Sequence, residues 1–139
     1  MTDPFKEKYC NDEGTKPGHN NAHFPRSVCQ AQWVGAPSEH EAHPGRSLVT
    51  HNHEVILDWA AKRNAIPATI PGTQHDDHLG VLRFDFPDWG SNQRLEHVTW
   101  EQWFDTFDER QLVMLYQEHL RNGHRSNFFH FNSPYREHM

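Results

Sequence analysis

Residues 112–132 read LVMLYQEHLRNGHRSNFFHFN, and the fold turns on how they pair. The segment from Leu112 to His119 is rich in Val, Leu, Met and Tyr, which suits a strand. Asn122-Gly123 is a strong short-range hairpin signal, because a type I′ turn needs φ > 0 at both central residues. Placing that pair at the tip sets Tyr116 opposite Phe129 and Met114 opposite Phe131 on one face, with Leu115 opposite His130 on the other. One face of the hairpin is then strongly aromatic. The alternative, in which residues 112–120 prolong the preceding helix, stays open at this point.

Working upstream, Thr99-x-x-Gln102 is a capping box. Behind it Trp100, Trp103, Phe104 and Phe107 follow the i, i+3, i+4, i+7 spacing of a helix face. From Gly80 to Phe86 the chain alternates, with Leu82, Phe84 and Phe86 on one side and Val81, Arg83 and Asp85 on the other. That is a strand stopped by Pro87. Earlier still, Val55, Ile56, Trp59 and Ala60 share a helical face, with Thr50 or Asn52 as cap and Asn64 then Pro67 as terminator. Ala68 to Ile70 reads as a short strand. The order helix, strand, helix, hairpin predicts an α+β fold, a small mainly antiparallel sheet with two helices packed on one face.

Before residue 48 the character differs. Gly14, Pro17, Gly18, Pro25, Gly35, Pro37, Pro44 and Gly45 interrupt a segment whose apolar residues are scattered rather than periodic. Residues 1–47 are therefore expected to be a polar arm, flexible unless a metal or docking orders it. Residues 48–134 form the expected compact domain, and 135–139 a tail. The length of 139 residues suits one domain. The apolar fraction is only 35%, yet nine Phe, five Trp and three Tyr suffice for an aromatic core.

A formal charge of −6 disfavours general attraction to nucleic acid or anionic lipid. Thirteen histidines would carry that charge to +7 if all were protonated, so association should vary with pH. The polar start MTDPFKEKYC and the lack of a long apolar run predict no membrane span and a cytoplasmic protein. In a reducing compartment the two cysteines are expected as free thiols or metal ligands.

The stretch 52–134 resembles a family of short bacterial proteins. The resemblance rests on Asn52-His53-Glu54-Val55-Ile56, Trp59-Ala60, Pro67-Ala68-Thr69, residues 80–86, Trp100-Glu101-Gln102-Trp103-Phe104, Phe107-Asp108-Glu109-Arg110, Leu115-Tyr116-Gln117 and Ser126-Asn127-Phe128-Phe129. It implies no activity, catalytic residue or ligand.

Cys10, His19, His23 and Cys29 place two thiols and two imidazoles within twenty residues, a tetrahedral donor set of the kind zinc takes. Zinc is the one cofactor the residues imply, and its binding would order the arm. A second cluster joins His51 and His53 to His75, Asp76, Asp77 and His78, which a folded-back loop could bring round a divalent metal. Asp85, with Asp108 and Glu109 after the second helix, supplies candidates for a carboxylate held between strand and helix, a general base if burial raises its pKa. No Gly-x-Ser-x-Gly elbow, Walker loop or dinucleotide fingerprint is present in the sequence. The leading expectation is a binding or interaction protein without catalysis of its own, with a protein partner or self-association. A metal-dependent hydrolase and a zinc-containing nucleic-acid module are the alternatives.

Overall fold

The computed structural model describes residues 3–10, 22–74, 78–89 and 94–135. The fold is α+β, with two mainly antiparallel sheets rather than the single sheet expected. The chain forms two compact units, Met1–Val55 with Gln111–Met139, and Ile56–Arg110. Among the described residues, no helix is long and apolar enough to cross a membrane.

The first unit carries helices α1 (Pro4–Tyr9) and α2 (Arg26–Cys29) and a four-stranded sheet of β1 (Gln32–Trp33), β2 (Leu48–Thr50), β6 (Val113–Tyr116) and β7 (Phe129–Asn132). β2 runs antiparallel to β6, with Leu48 opposite Tyr116 and Thr50 opposite Met114, and parallel to β1. Every residue of β2 and β6 is buried. Strands covered on both faces read as continuous apolar runs instead of alternating, which is why Val113–Tyr116 looked ambiguous between strand and helix. The strand reading holds.

The hairpin register is the one expected: Tyr116 faces Phe129, Leu115 faces His130 and Met114 faces Phe131. Its tip is different. The Gly123 amide donates to the Leu120 carbonyl at 2.8 Å, and the Leu120 amide to the His124 carbonyl at 2.7 Å. Gly123 has φ 90° while Asn122 is not among the residues with positive φ. This is a three-residue loop closed by a left-handed glycine, not a type I′ turn. Pairing near the tip is consequently one residue out of step, with His119 bridged to Arg125. An extra residue between Ser126 and Phe129 restores the register, as in a β-bulge.

The described residues of the expected arm, 3–10 and 22–47, are part of this unit. Tyr9, Phe24 and Val28 are buried in one cluster with Val49, Val113 and Leu115. The Phe24 amide donates to the Tyr9 carbonyl at 3.0 Å, which sets α1 beside the start of α2. Cys10 and Cys29 are joined in a disulfide across a Cα separation of 5.6 Å. This corrects the expectation of free or metal-bound thiols: scattered aromatics dock the arm, and docking brings the two sulfurs together.

The first helix of the expected domain is α3 (His53–Lys62). Asn52 caps it, its Oδ1 accepting the Val55 amide at 3.0 Å. At the other end Asn64 adopts φ 54°, and the Ala65 amide donates to the Ala60 carbonyl at 2.9 Å. That is a Schellman stop with asparagine in the position glycine usually takes.

The second unit has its own sheet, ordered β4 (Leu82–Asp85), β3 (Ile66–Thr69), β5 (Glu96–His97), with α4 (Trp100–Glu109) behind it. The capping box forms as expected, Thr99 Oγ1 accepting the Gln102 amide at 3.0 Å. Trp103 is fully buried, stacks on Phe84 at 5.1 Å and on Phe107 at 5.3 Å, and donates from Nε1 to the Arg83 carbonyl at 3.1 Å. The aromatic residues of α4 thus close the face that Leu82 and Phe84 present.

Entry into β4 depends on a glycine. Thr73 Oγ1 donates to the Ile70 carbonyl at 2.6 Å and accepts the Val81 amide at 2.9 Å. A Cβ on Gly80 would lie 1.8 Å from that hydroxyl and 2.5 Å from the Thr73 carbonyl oxygen. Gly80→Ala is expected to destabilise the chain by roughly 1–3 kcal/mol, the usual cost of forced overpacking. Urea unfolding checks this, and an unchanged midpoint would show that the Thr73 turn is not as drawn.

Candidate metal centre

The pairing of β2 with β6 brings the loop before β2 against the residues that follow β6. Glu118 and His119 are held from two sides by their backbone. The Gly45 amide donates to the His119 carbonyl at 2.9 Å, and the amide of buried Ser126 donates to the Glu118 carbonyl at 3.1 Å. Gly45 can come this close because it lacks a side chain: at φ 89°, a Cβ there would sit 3.0 to 3.3 Å from Arg121. On the loop, Gln32 donates from Nε2 to the His40 carbonyl at 2.8 Å and accepts the Ala42 amide at 3.0 Å. One side chain therefore brackets Glu41.

Two dipeptides consequently face each other, His40-Glu41 and Glu118-His119. His40 Nδ1 donates to Glu118 Oε2 at 3.1 Å and His119 Nδ1 to Glu41 Oε2 at 2.6 Å. The Glu41 amide donates to Glu118 Oε1 at 3.3 Å. Glu41, Glu118 and His119 each offer a ligand atom, all within 4.8 Å of one another. The carboxylates lie inside and the imidazoles at the rim: Glu41 and Glu118 side chains are 11% and 20% exposed, those of His119 and His40 44% and 55%. Glu41 Oε1 is buried and has no hydrogen-bond partner among the described residues.

The residues singled out in the sequence go elsewhere. Cys10 and Cys29 are bonded to each other, and a disulfide sulfur has no thiolate to give zinc. The tetrahedral set proposed for the arm is thus not available in this state. His19 lies outside the described residues. The amide of His23 donates to the Pro134 carbonyl at 2.6 Å, and its Nδ1 lies 2.7 Å from the Phe24 carbonyl.

Of the second cluster, His51 pairs through Nε2 with both oxygens of Asp3 at 2.9 Å. His78 pairs with Glu109 at 3.0 Å, and residues 75–77 lie outside the described residues. Asp85 is paired with His97 at 2.7 Å. Each of these carboxylates has an imidazole partner, so none is a bare general base.

His40, Glu41, Glu118 and His119 were missed because their convergence needs the pairing of β2 with β6, across more than sixty positions. The only local signal was the mirrored pair of dipeptides, His-Glu and Glu-His. Compared with known proteins, the chain matches no family model, no curated protein sequence and no solved structure.

Asp3 generates a pH dependence. Burial pushes its carboxyl up, but the hydrogen bond and charge of His51, with the Phe5 and Lys6 amides, outweigh that and hold it below its ordinary 3.8. A depressed carboxylate stabilises the fold above its unfolded pKa, and that contribution disappears as pH falls through the lower folded value. Protection of the α1 amides against hydrogen exchange, corrected for intrinsic rate, should hold at pH 5 and drop by about a few-fold below about pH 4, the scale of a partly exposed ion pair. Asp3→Asn should flatten this acid limb; an identical limb in the variant would contradict the assignment.

Proposed function

We propose that this chain is a small binding protein that holds one divalent transition-metal ion, zinc foremost, between Glu41, Glu118 and His119. The observation that carries the reading is the unpartnered, buried Oε1 of Glu41. A carboxylate oxygen removed from water without a partner costs free energy. A cation among these donors removes that cost. Mixed carboxylate and imidazole donors suit zinc better than calcium or magnesium, which take oxygen alone. His40, hydrogen-bonded to Glu118 Oε2, fits the outer role of an imidazole that orients a ligating carboxylate.

The compartment is read from the cysteines. Disulfides persist in oxidising surroundings and are rare in the cytosol, where the thiol pool keeps cysteines reduced. The Cys10–Cys29 bond therefore favours an oxidising compartment over the cytoplasmic one expected from the sequence.

Titration calorimetry of the oxidised chain, produced without a histidine tag, should show one Zn²⁺ site per chain. Glu41→Gln and His119→Ala should each weaken it about tenfold or more, the scale on which even outer ligands act. Affinity should fall with falling pH, because protons compete for the same lone pairs. Zinc binding unaffected by both substitutions would move the site elsewhere. No binding at all would remove the reading.

A further inference from the structure

We propose that the Cys10–Cys29 disulfide is a redox latch that holds α1 onto the sheet of the first unit, so that a dithiol reductant releases the helix while the sheet stays folded. The inference is independent of the metal reading. α1 has six residues, far fewer than an isolated helix needs to persist in water. Its order comes from what it touches, and it is clamped at both ends. At the start, Asp3 accepts the Phe5 amide at 2.8 Å and pairs with His51, over which the Phe5 ring stacks at 4.3 Å. At the end, Tyr9 is buried, its ring set edge-on to Phe24 at 5.5 Å, and Cys10 is bonded to Cys29.

These attachments are unequal. Phe5 and the Asp3–His51 pair are only partly buried, and an ion pair open to water contributes little. The disulfide spans 19 positions, so breaking it restores the conformational freedom of a long loop to the arm. By contrast, β2 and β6 are paired to each other and buried along their whole length without any covalent tie. Loss of the bond therefore falls on α1 first. Both cysteines are half-buried rather than sealed in the core, so a thiolate can reach the sulfurs.

The step balances as ordinary thiol–disulfide exchange. A thiolate of the dithiol reductant attacks one sulfur of the pair; the Cys10–Cys29 bond breaks, and the other cysteine leaves as a thiolate that takes up a proton. The reductant's second thiol, as thiolate, then attacks the mixed disulfide, closing the reductant's own disulfide and freeing the remaining cysteine, which is protonated in turn. Two electrons and two protons pass to the pair, and the reductant is oxidised by the same amount.

Hydrogen exchange by mass spectrometry tests the latch on the full chain. The oxidised chain is compared with chain reduced by dithiothreitol and alkylated, and with the Cys10→Ser, Cys29→Ser double variant. Peptides over residues 3–10 should exchange at least tenfold faster in the reduced and double-variant forms, and trypsin should cut after Lys6 and Lys8 only in those forms. Peptides over residues 113–116 should keep their protection throughout, and reoxidation of unalkylated chain should restore that of α1. Equal protection of α1 in all forms would overturn the proposal. So would loss of protection at 113–116 on reduction, which would make the bond a staple of the whole unit, or two free thiols in the air-oxidised chain.

Discussion

The antiparallel pairing of Leu48–Thr50 with Val113–Tyr116 is the constraint on which the first unit depends. Three residues from early in the chain and four from late in it lie side by side, all buried, with Val49 opposite Leu115. Closing so long a loop is entropically expensive, and the return is a pair of central strands covered on both faces. Once that pairing exists, Gly45 meets His119 and the loop carrying His40 and Glu41 has nowhere else to lie. The candidate metal centre is a by-product of strand register. A slip of one residue would turn the side chains of one strand to the opposite faces.

The same pairing explains how a polar, proline-punctuated N-terminal segment takes part in a folded unit. The face that Val49, Val113 and Leu115 present is closed by Tyr9 and Val28 from short helices, neither of which would be stable alone, and by Phe24 from the segment that leads into α2. Large aromatic side chains compensate for the low apolar content, since one Tyr or Phe covers the area of several aliphatic contacts. The second unit uses the same economy with Trp59, Phe84, Trp103 and Phe107.

Much of the fold was legible locally. The capping box at Thr99, the alternation in Leu82–Asp85 and the cross-strand pairs of the hairpin all rest on neighbours within about twenty positions, where period and turn chemistry speak directly. The hairpin is instructive because its register agreed while its turn did not: a longer loop at Gly123 is offset by the extra residue before Phe129. What escaped was long-range. Leu48–Thr50 is too short to show a period, so the central pairing of the four-stranded sheet and the unit it builds were invisible, and with them the convergence of Glu41 on His119. The cysteines were visible but their redox state was not, because nothing in their spacing separates a disulfide from a zinc pair.

If Glu41, Glu118 and His119 hold the ion, its donors are oxygen and imidazole nitrogen, with no sulfur among them. X-ray absorption at the zinc edge, on chain loaded with one equivalent, decides it. The expected result is nitrogen and oxygen neighbours alone at about 2.0–2.1 Å, with outer scattering from an imidazole ring. A zinc–sulfur distance near about 2.3 Å would place the ion on Cys10 and Cys29 and contradict it.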